Sequence, residues 1–136
     1  MTVLAEVALR AGDASPLWRE ALLDSPAPES EFAGRCPDDY LLGVEMIREG
    51  YLLHRGRSRL FRQDDAELAL LTGDHLYAAG LVEICRTRDI EAVASLAELI
   101  AACAGAQAEP GADAERLWAE TVSSLGRGGE ASPADA

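Results

Sequence analysis

The sequence has no lysine, only seven aromatic residues, and three cysteines, Cys36, Cys85 and Cys103, with no C-x-x-C pair among them. Each shortage excludes something. Scarce aromatic and β-branched residues remove the usual material of strands. Three widely spaced cysteines suggest neither a disulfide framework nor a zinc site, and Cys85 and Cys103 read as small core residues. No stretch approaches the ~20 apolar residues that span a bilayer, and the start of the chain has no basic segment ahead of an apolar run, so a cytoplasmic protein is expected. Twelve arginines against twenty-four acids leave a net charge of -12. That balance argues against a general partner of nucleic acid or of an anionic membrane, both of which are polyanions.

What remains is rich in alanine and leucine. At 136 residues the chain has the length of one domain with a single core. The expected fold is all-α, a single-domain bundle of about five helices over residues 1–125, followed by a disordered tail over residues 126–136. Ser15 and Pro16 form an N-cap and first helical position, ahead of Leu17, Trp18, Ala21 and Leu22, and a helix over residues 2–11 can precede them. After a proline-rich connection, Asp38 or Asp39 is placed to cap a helix carrying Tyr40, Val44 and Ile47, with Gly50 as its stop. Asp64 or Asp65 starts the longest apolar segment, running to about Cys85, and Asp64 with Glu67 has capping-box spacing.

Gly73 and Gly80, two helical turns apart, join Ala66 and Ala69 in a small-residue stripe where a neighbouring helix can approach closely. Each glycine costs about 1 kcal/mol relative to alanine inside a helix, so a packing reason is expected. Asp89 caps a further helix with Ile90, Val93, Leu96 and Ile100 on one face, which Gly105 can end. Asp113, after a Glu-Pro-Gly break, caps the last, with Leu117, Trp118 and Val122.

Charge is unevenly spread. Residues 48–62 hold five arginines, Arg48, Arg55, Arg57, Arg59 and Arg62, against one acid, Glu49, so this window is +4 and the rest of the chain carries -16. A guanidinium fork pairs bidentately with diphosphate or carboxylate, which makes the arginines candidates for anion recognition; the alternative is a solvated basic loop that balances acidic neighbours. Asp74 stands in an apolar run and must either face a polar groove or be hydrogen-bonded within the bundle. His75 has no partner nucleophile or metal cluster in the sequence, and reads as a surface or core histidine. The pairs Asp38–Asp39 and Asp64–Asp65 sit at helix starts, where carboxylates satisfy free N–H groups, so capping is preferred to metal binding.

Residues 54–62 (HRGRSRLFR) followed by residues 69–78 (ALLTGDHLYA) resemble the trans-polyprenyl diphosphate synthase family, in which an R-R-G-x-P-T loop leads to a helix written roughly A-x-L-A-G-D-x-L-L-A. Residues 96–100 (LAELI) and 105–109 (GAQAE) resemble the family's next helix and its E-G-Q ending. The resemblance spans about residues 41–109. It implies an isoprenoid-synthase-like half-bundle, in which Arg55 matches the second arginine of R-R-G, a diphosphate ligand, while His54 replaces the first and Ser58 the proline.

The family's catalysts hold magnesium on two D-D-x-x-D motifs. Here residues 47–53, which precede the loop, contain no aspartate, and the chain does not extend to the second motif. The resemblance therefore implies a small subunit, not catalytic alone, like component I of heptaprenyl diphosphate synthase. It would bind no cofactor itself and shape product length beside a catalytic subunit carrying the magnesium. His54, Arg55, Arg57, Arg59 and Arg62 are its candidate diphosphate or partner contacts, and Gly73, Asp74, Tyr77 and Gly80 its helix-packing or interface residues. The alternative is a helical interaction or regulatory protein of unrelated function on a degenerate bundle of this type, including a homodimer. A third reading is an anion-binding, phosphatase-like enzyme that uses the arginine loop.

Overall fold

The computed structural model describes residues 1–108 and 113–127, with side chains for 1–104 and 113–127. Six helices occur in the order α1 (Val3–Ala14), α2 (Pro16–Ala21), α3 (Asp38–His54), α4 (Ala66–Cys85), α5 (Ile90–Ala108) and α6 (Ala114–Ser124). Among the described residues there is no strand, only an antiparallel bridge between Leu22 and Phe61. The chain is an all-α single-domain bundle.

Most starts follow the capping logic. Thr2 accepts from the Ala5 N–H, Ser15 from Leu17 with Pro16 behind it, and Asp113 from Arg116. Asp89 accepts from the Ala92 N–H in the same way. At α4 the choice falls on Asp65, whose Oδ1 takes the Leu68 N–H at 3.1 Å. This places Leu68, not Glu67, at the third helical position, so the Asp64–Glu67 box does not form. At α3 neither aspartate caps. Pro37 precedes the helix with no side-chain bond, and Asp38 and Asp39 lie in the first turn, where their charge complements the dipole.

Two expected stops are not stops. α3 continues through Gly50 to His54, and α5 continues past Gly105 to Ala108. The Glu109-Pro110-Gly111 break, the last residue of the GAQAE segment and residues 128–136 of the expected tail lie outside the described residues. Gly126 and Arg127 belong to a turn that closes α6, and a methyl at Gly126 would fall 2.9 Å from Pro37 Cγ, so the start of the tail segment is packed.

α3 is the central helix. From Gly43 to Leu53 every residue is buried, so it is enclosed on all sides. One cluster on it gathers Val44, Ile47 and Tyr51 with Ile84 of α4, Leu96 and Leu99 of α5, and Trp118 and Val122 of α6. A second joins Met46 and Leu53 to Leu4 and Val7 of α1, Leu60 and Phe61 of the loop, and Leu76 of α4. Cys103 lies in the core, but Cys85 is exposed: it ends α4 on the side turned away from α3.

The glycine stripe of α4 has its counterpart on α3. Gly43 and Gly50, also seven apart, meet Gly80 and Gly73 of the antiparallel α4. A methyl added at Gly43 or Gly80 would lie 2.9 or 2.8 Å from the other's carbonyl oxygen. The backbones thus approach closely, with the side chains of Ile84 and Ile47 filling the space beside Gly43 and Gly80. Ala69 is buried in the second cluster, whereas Ala66 is exposed and outside the stripe.

Candidate functional site

The arginine-rich loop between α3 and α4 is anchored at both ends. Arg57 N–H donates to the Leu52 carbonyl at 2.8 Å, closing the turn through Gly56, whose φ is +71°. Further on, the Leu23 N–H donates to the Leu60 carbonyl at 2.8 Å and the Arg62 N–H to the Ala21 carbonyl at 2.7 Å, stapling the loop to the end of α2. Ser58 Oγ accepts from the N–H groups of Leu60 and Phe61. These bonds divide the candidate arginines into two sets.

Arg59 points inward. Its Nη1 donates to Glu45 Oε1 at 2.8 Å and to Glu31 Oε2 at 3.0 Å, and its Nε donates to Glu49 Oε1 at 3.0 Å. Glu45 and Glu49, one turn apart on α3, have no solvent exposure. Glu45 also accepts from Ser30 Oγ at 2.6 Å and from the N–H groups of Glu31 and Phe32, and Glu49 accepts from Ser58 Oγ. Arg48 completes the group. It pairs bidentately with Glu31 and with Glu115 of α6, the shortest contact to each being 2.8 Å. Its guanidinium carbon lies 5.1–5.7 Å from the ring centroids of Phe32, Tyr51 and Trp118. An aromatic box with carboxylates at its rim suits a planar cation.

Four carboxylates share two guanidiniums, and their ionisation differs accordingly. Burial raises the Glu49 carboxyl above its ordinary value, more than Ser58 and Arg59 lower it. For Glu31 burial also acts upward, yet the hydrogen bond from Arg48 and the charges of Arg48 and Arg59 hold it below the usual range. Burial opposes the charge of Arg48, but Glu31 and Glu115 outweigh it and raise its pKa.

The outward set is Arg55, Arg57 and Arg62. Arg55 lies with its guanidinium carbon 5.3 Å from the Tyr51 ring centroid, on an exposed side chain, and Arg57 is exposed as well. Arg62 is exposed and donates to the Glu20 carbonyl. His54 ends α3 instead of opening the loop. Its Nε2 is 3.0 Å from Asp74 Oδ1 and 3.3 Å from the Leu70 carbonyl oxygen, and its ring stands edge-on to Tyr77 at 5.0 Å between centroids. Gly73 makes room for that imidazole: a methyl there would lie 2.5 Å from His54 Cδ2. Asp74 is exposed, paired with His54 at the surface. Tyr77 is half-buried against Gly50, with burial raising its hydroxyl pKa. His75 packs against Trp18 of α2, the rings tilted by 36° with centroids 4.4 Å apart, and burial lowers its pKa.

The structure thus brings His54, Gly73, Asp74 and Tyr77 together at one end of the α3–α4 contact, with Gly80 two turns away. It separates Arg59 from Arg55, Arg57 and Arg62. Glu31, Glu45, Arg48, Glu49 and Glu115 form with Arg59 a charged centre; the sequence counted Arg48 and Glu49 in the basic window but pointed to none of the carboxylates as their partners. One signal was available: Glu45, Arg48 and Glu49, at i, i+3 and i+4, lie among apolar residues in the middle of α3, where charges must be paired.

Fold and site together define an all-α single-domain bundle organised around a buried carboxylate–guanidinium network, with a basic loop at its surface. Comparison with known protein families, with curated proteins and with solved structures finds no match.

Proposed function

We propose that the chain is the non-catalytic small subunit of a heteromeric polyprenyl diphosphate synthase, which shapes product length beside a catalytic subunit. The observation that carries this reading is the α3–loop–α4 hairpin. Its motif order follows the family resemblance, and Arg55 and Arg57 are exposed at its turn on a chain that is otherwise acidic. The buried carboxylates of α3, Glu45 and Glu49, accept hydrogen bonds from Arg59 and from serine and backbone donors, which fits poorly with holding magnesium. In this reading magnesium and both aspartate motifs belong to the partner, and the arginines meet a carboxylate-bearing surface or a diphosphate there.

The test is co-expression with a synthase subunit bearing both D-D-x-x-D motifs, followed by mass determination of the complex and analysis of product length. Association and a changed product length support the proposal, and Arg55→Glu with Arg57→Glu should weaken the association. Failure to associate, or magnesium-dependent condensation by this chain alone, would sink it. The inward commitment of Arg48 and Arg59 favours the second reading, an interaction or regulatory protein of unrelated function, because it removes two of the five arginines of the basic window from any ligand.

A further inference from the structure

α4 is unusual among the helices for how much apolar surface it leaves uncovered. By length and composition alone α4 is long and apolar enough to cross a membrane, against the expectation that no stretch approaches that length, and only 33% of its apolar 18-residue stretch is buried. Leu71 is 62% and Val82 61% exposed, and Ala78 lies exposed between them. These three, with Glu67, fall on the face opposite the glycine contact, since residues three, four and seven apart share a helix face. The ends of this face carry opposite charge: Asp64, Asp65 and Glu67 at the start, Arg86 and Arg88 just past the end, all exposed.

We infer that this face pairs with the same face of a second copy, the two α4 helices running antiparallel about a two-fold axis near Leu76 and Tyr77. A two-fold contact must be self-complementary, each residue meeting the one at the mirrored position. Reversal about that midpoint brings Glu67 toward Arg86 and sets Leu71 opposite Val82 and Ala78 opposite His75, so unlike charges meet at the ends and apolar residues inside them, with the His75 ring, packed on Trp18, near the centre. Within one copy Arg86 is paired with Glu83 at 3.4 Å through Nε on a side chain that is 70% exposed, so its guanidinium can also reach across. An anionic membrane surface is disfavoured as the occupant by the charge of -12.

Self-association is measured on the purified chain alone, so its outcome is separate from that of the synthase test. Sedimentation equilibrium should give twice the chain mass of 14.5 kDa. Leu71→Asp should return the monomer with an unchanged helical circular dichroism spectrum, because Leu71 contributes little to the monomer core. Glu67→Arg and Arg86→Glu should each raise the dissociation constant about tenfold, since every substitution acts twice in a symmetric contact. The double variant Glu67→Arg/Arg86→Glu should restore it. Nineteen positions separate the two residues, about 28 Å along one helix, so rescue can act only between copies. A monomer well above micromolar concentration, a dimer indifferent to Leu71→Asp, or charge variants without rescue would overturn the inference.

Discussion

Gly50 of α3 and Gly73 of α4 face each other across a contact so close that a methyl group on the first would lie 2.7 Å from the second's carbonyl oxygen, and the reverse substitution 3.0 Å. Gly43 and Gly80 repeat the arrangement two turns away. Backbone meets backbone at both points, with Ile47, Ile84 and His54 packed against the same glycines, so these helices have little room to move apart or together. That spacing also sets the imidazole of His54 over Gly73 and within reach of Asp74.

Gly50→Ala should therefore destabilise the chain by about 1–3 kcal/mol despite the better helix propensity of alanine, because the obstructing atom is backbone oxygen. Gly12→Ala in α1 provides the contrast. Its new methyl meets only ordinary contacts, the nearest at 3.5 Å. It should stabilise by up to about 1 kcal/mol. Urea midpoints of the two variants, moving in opposite directions, are the measurement; a shared direction would mean that helix spacing is not what the glycines supply.

Removing Arg59 strands two buried carboxylates. Arg59→Met should cost about 3–5 kcal/mol, the range for breaking one side of a buried ion pair. Arg57→Ala, on an exposed side chain in the same loop, should stay within about 0.5 kcal/mol. Chemical denaturation separates these values easily. Equal, small losses would show that the network is more hydrated than its burial implies.

The Glu49 carboxyl is raised by burial, so the native state holds its proton at higher pH than the unfolded chain does. Protonation therefore favours folding. The contribution is fully present below the unfolded pKa of about 4.3 and is lost as pH rises through the higher native value. Glu49→Gln removes this dependence, so the stability of the unmodified chain minus that of the variant should grow as pH falls from neutrality through the raised native value toward the unfolded one. Parallel stability curves over that interval would place the Glu49 pKa at its ordinary value. Glu31, held low mainly by the hydrogen bond from Arg48 against the effect of burial, behaves oppositely, losing its contribution as pH falls through its native pKa.

Of the two aspartates ahead of α4, only Asp65 bonds the helix. Asp65→Ala should cost about 1 kcal/mol, whereas Asp64→Ala should cost only a few tenths through the lost dipole interaction. Thermal melts of the pair, compared with the unmodified chain, test the assignment; equal losses would argue for exchange between two caps.

Local chemistry is what the sequence by itself determined. The helical class, the caps at Ser15, Asp89 and Asp113, and a glycine-lined contact at Gly73 and Gly80 were legible, because capping residues and small-residue spacing act over a few positions of one segment. Where signals are shared, the sequence left choices open: Asp64 or Asp65 at one helix start, and Gly50 as a stop or a point of close packing. A glycine is read as a stop only until another backbone is found against it, and Gly73 comes from a different helix. The arginines show the same limit. Five in fifteen residues read as one basic patch, yet Arg48 sits inside an aromatic box and Arg59 between Glu45 and Glu49, leaving Arg55, Arg57 and Arg62 outside. Only the tertiary structure decided that division. A charge's partner is fixed by distance in space, and here Arg48 finds Glu31 and Glu115 seventeen and sixty-seven positions away along the chain.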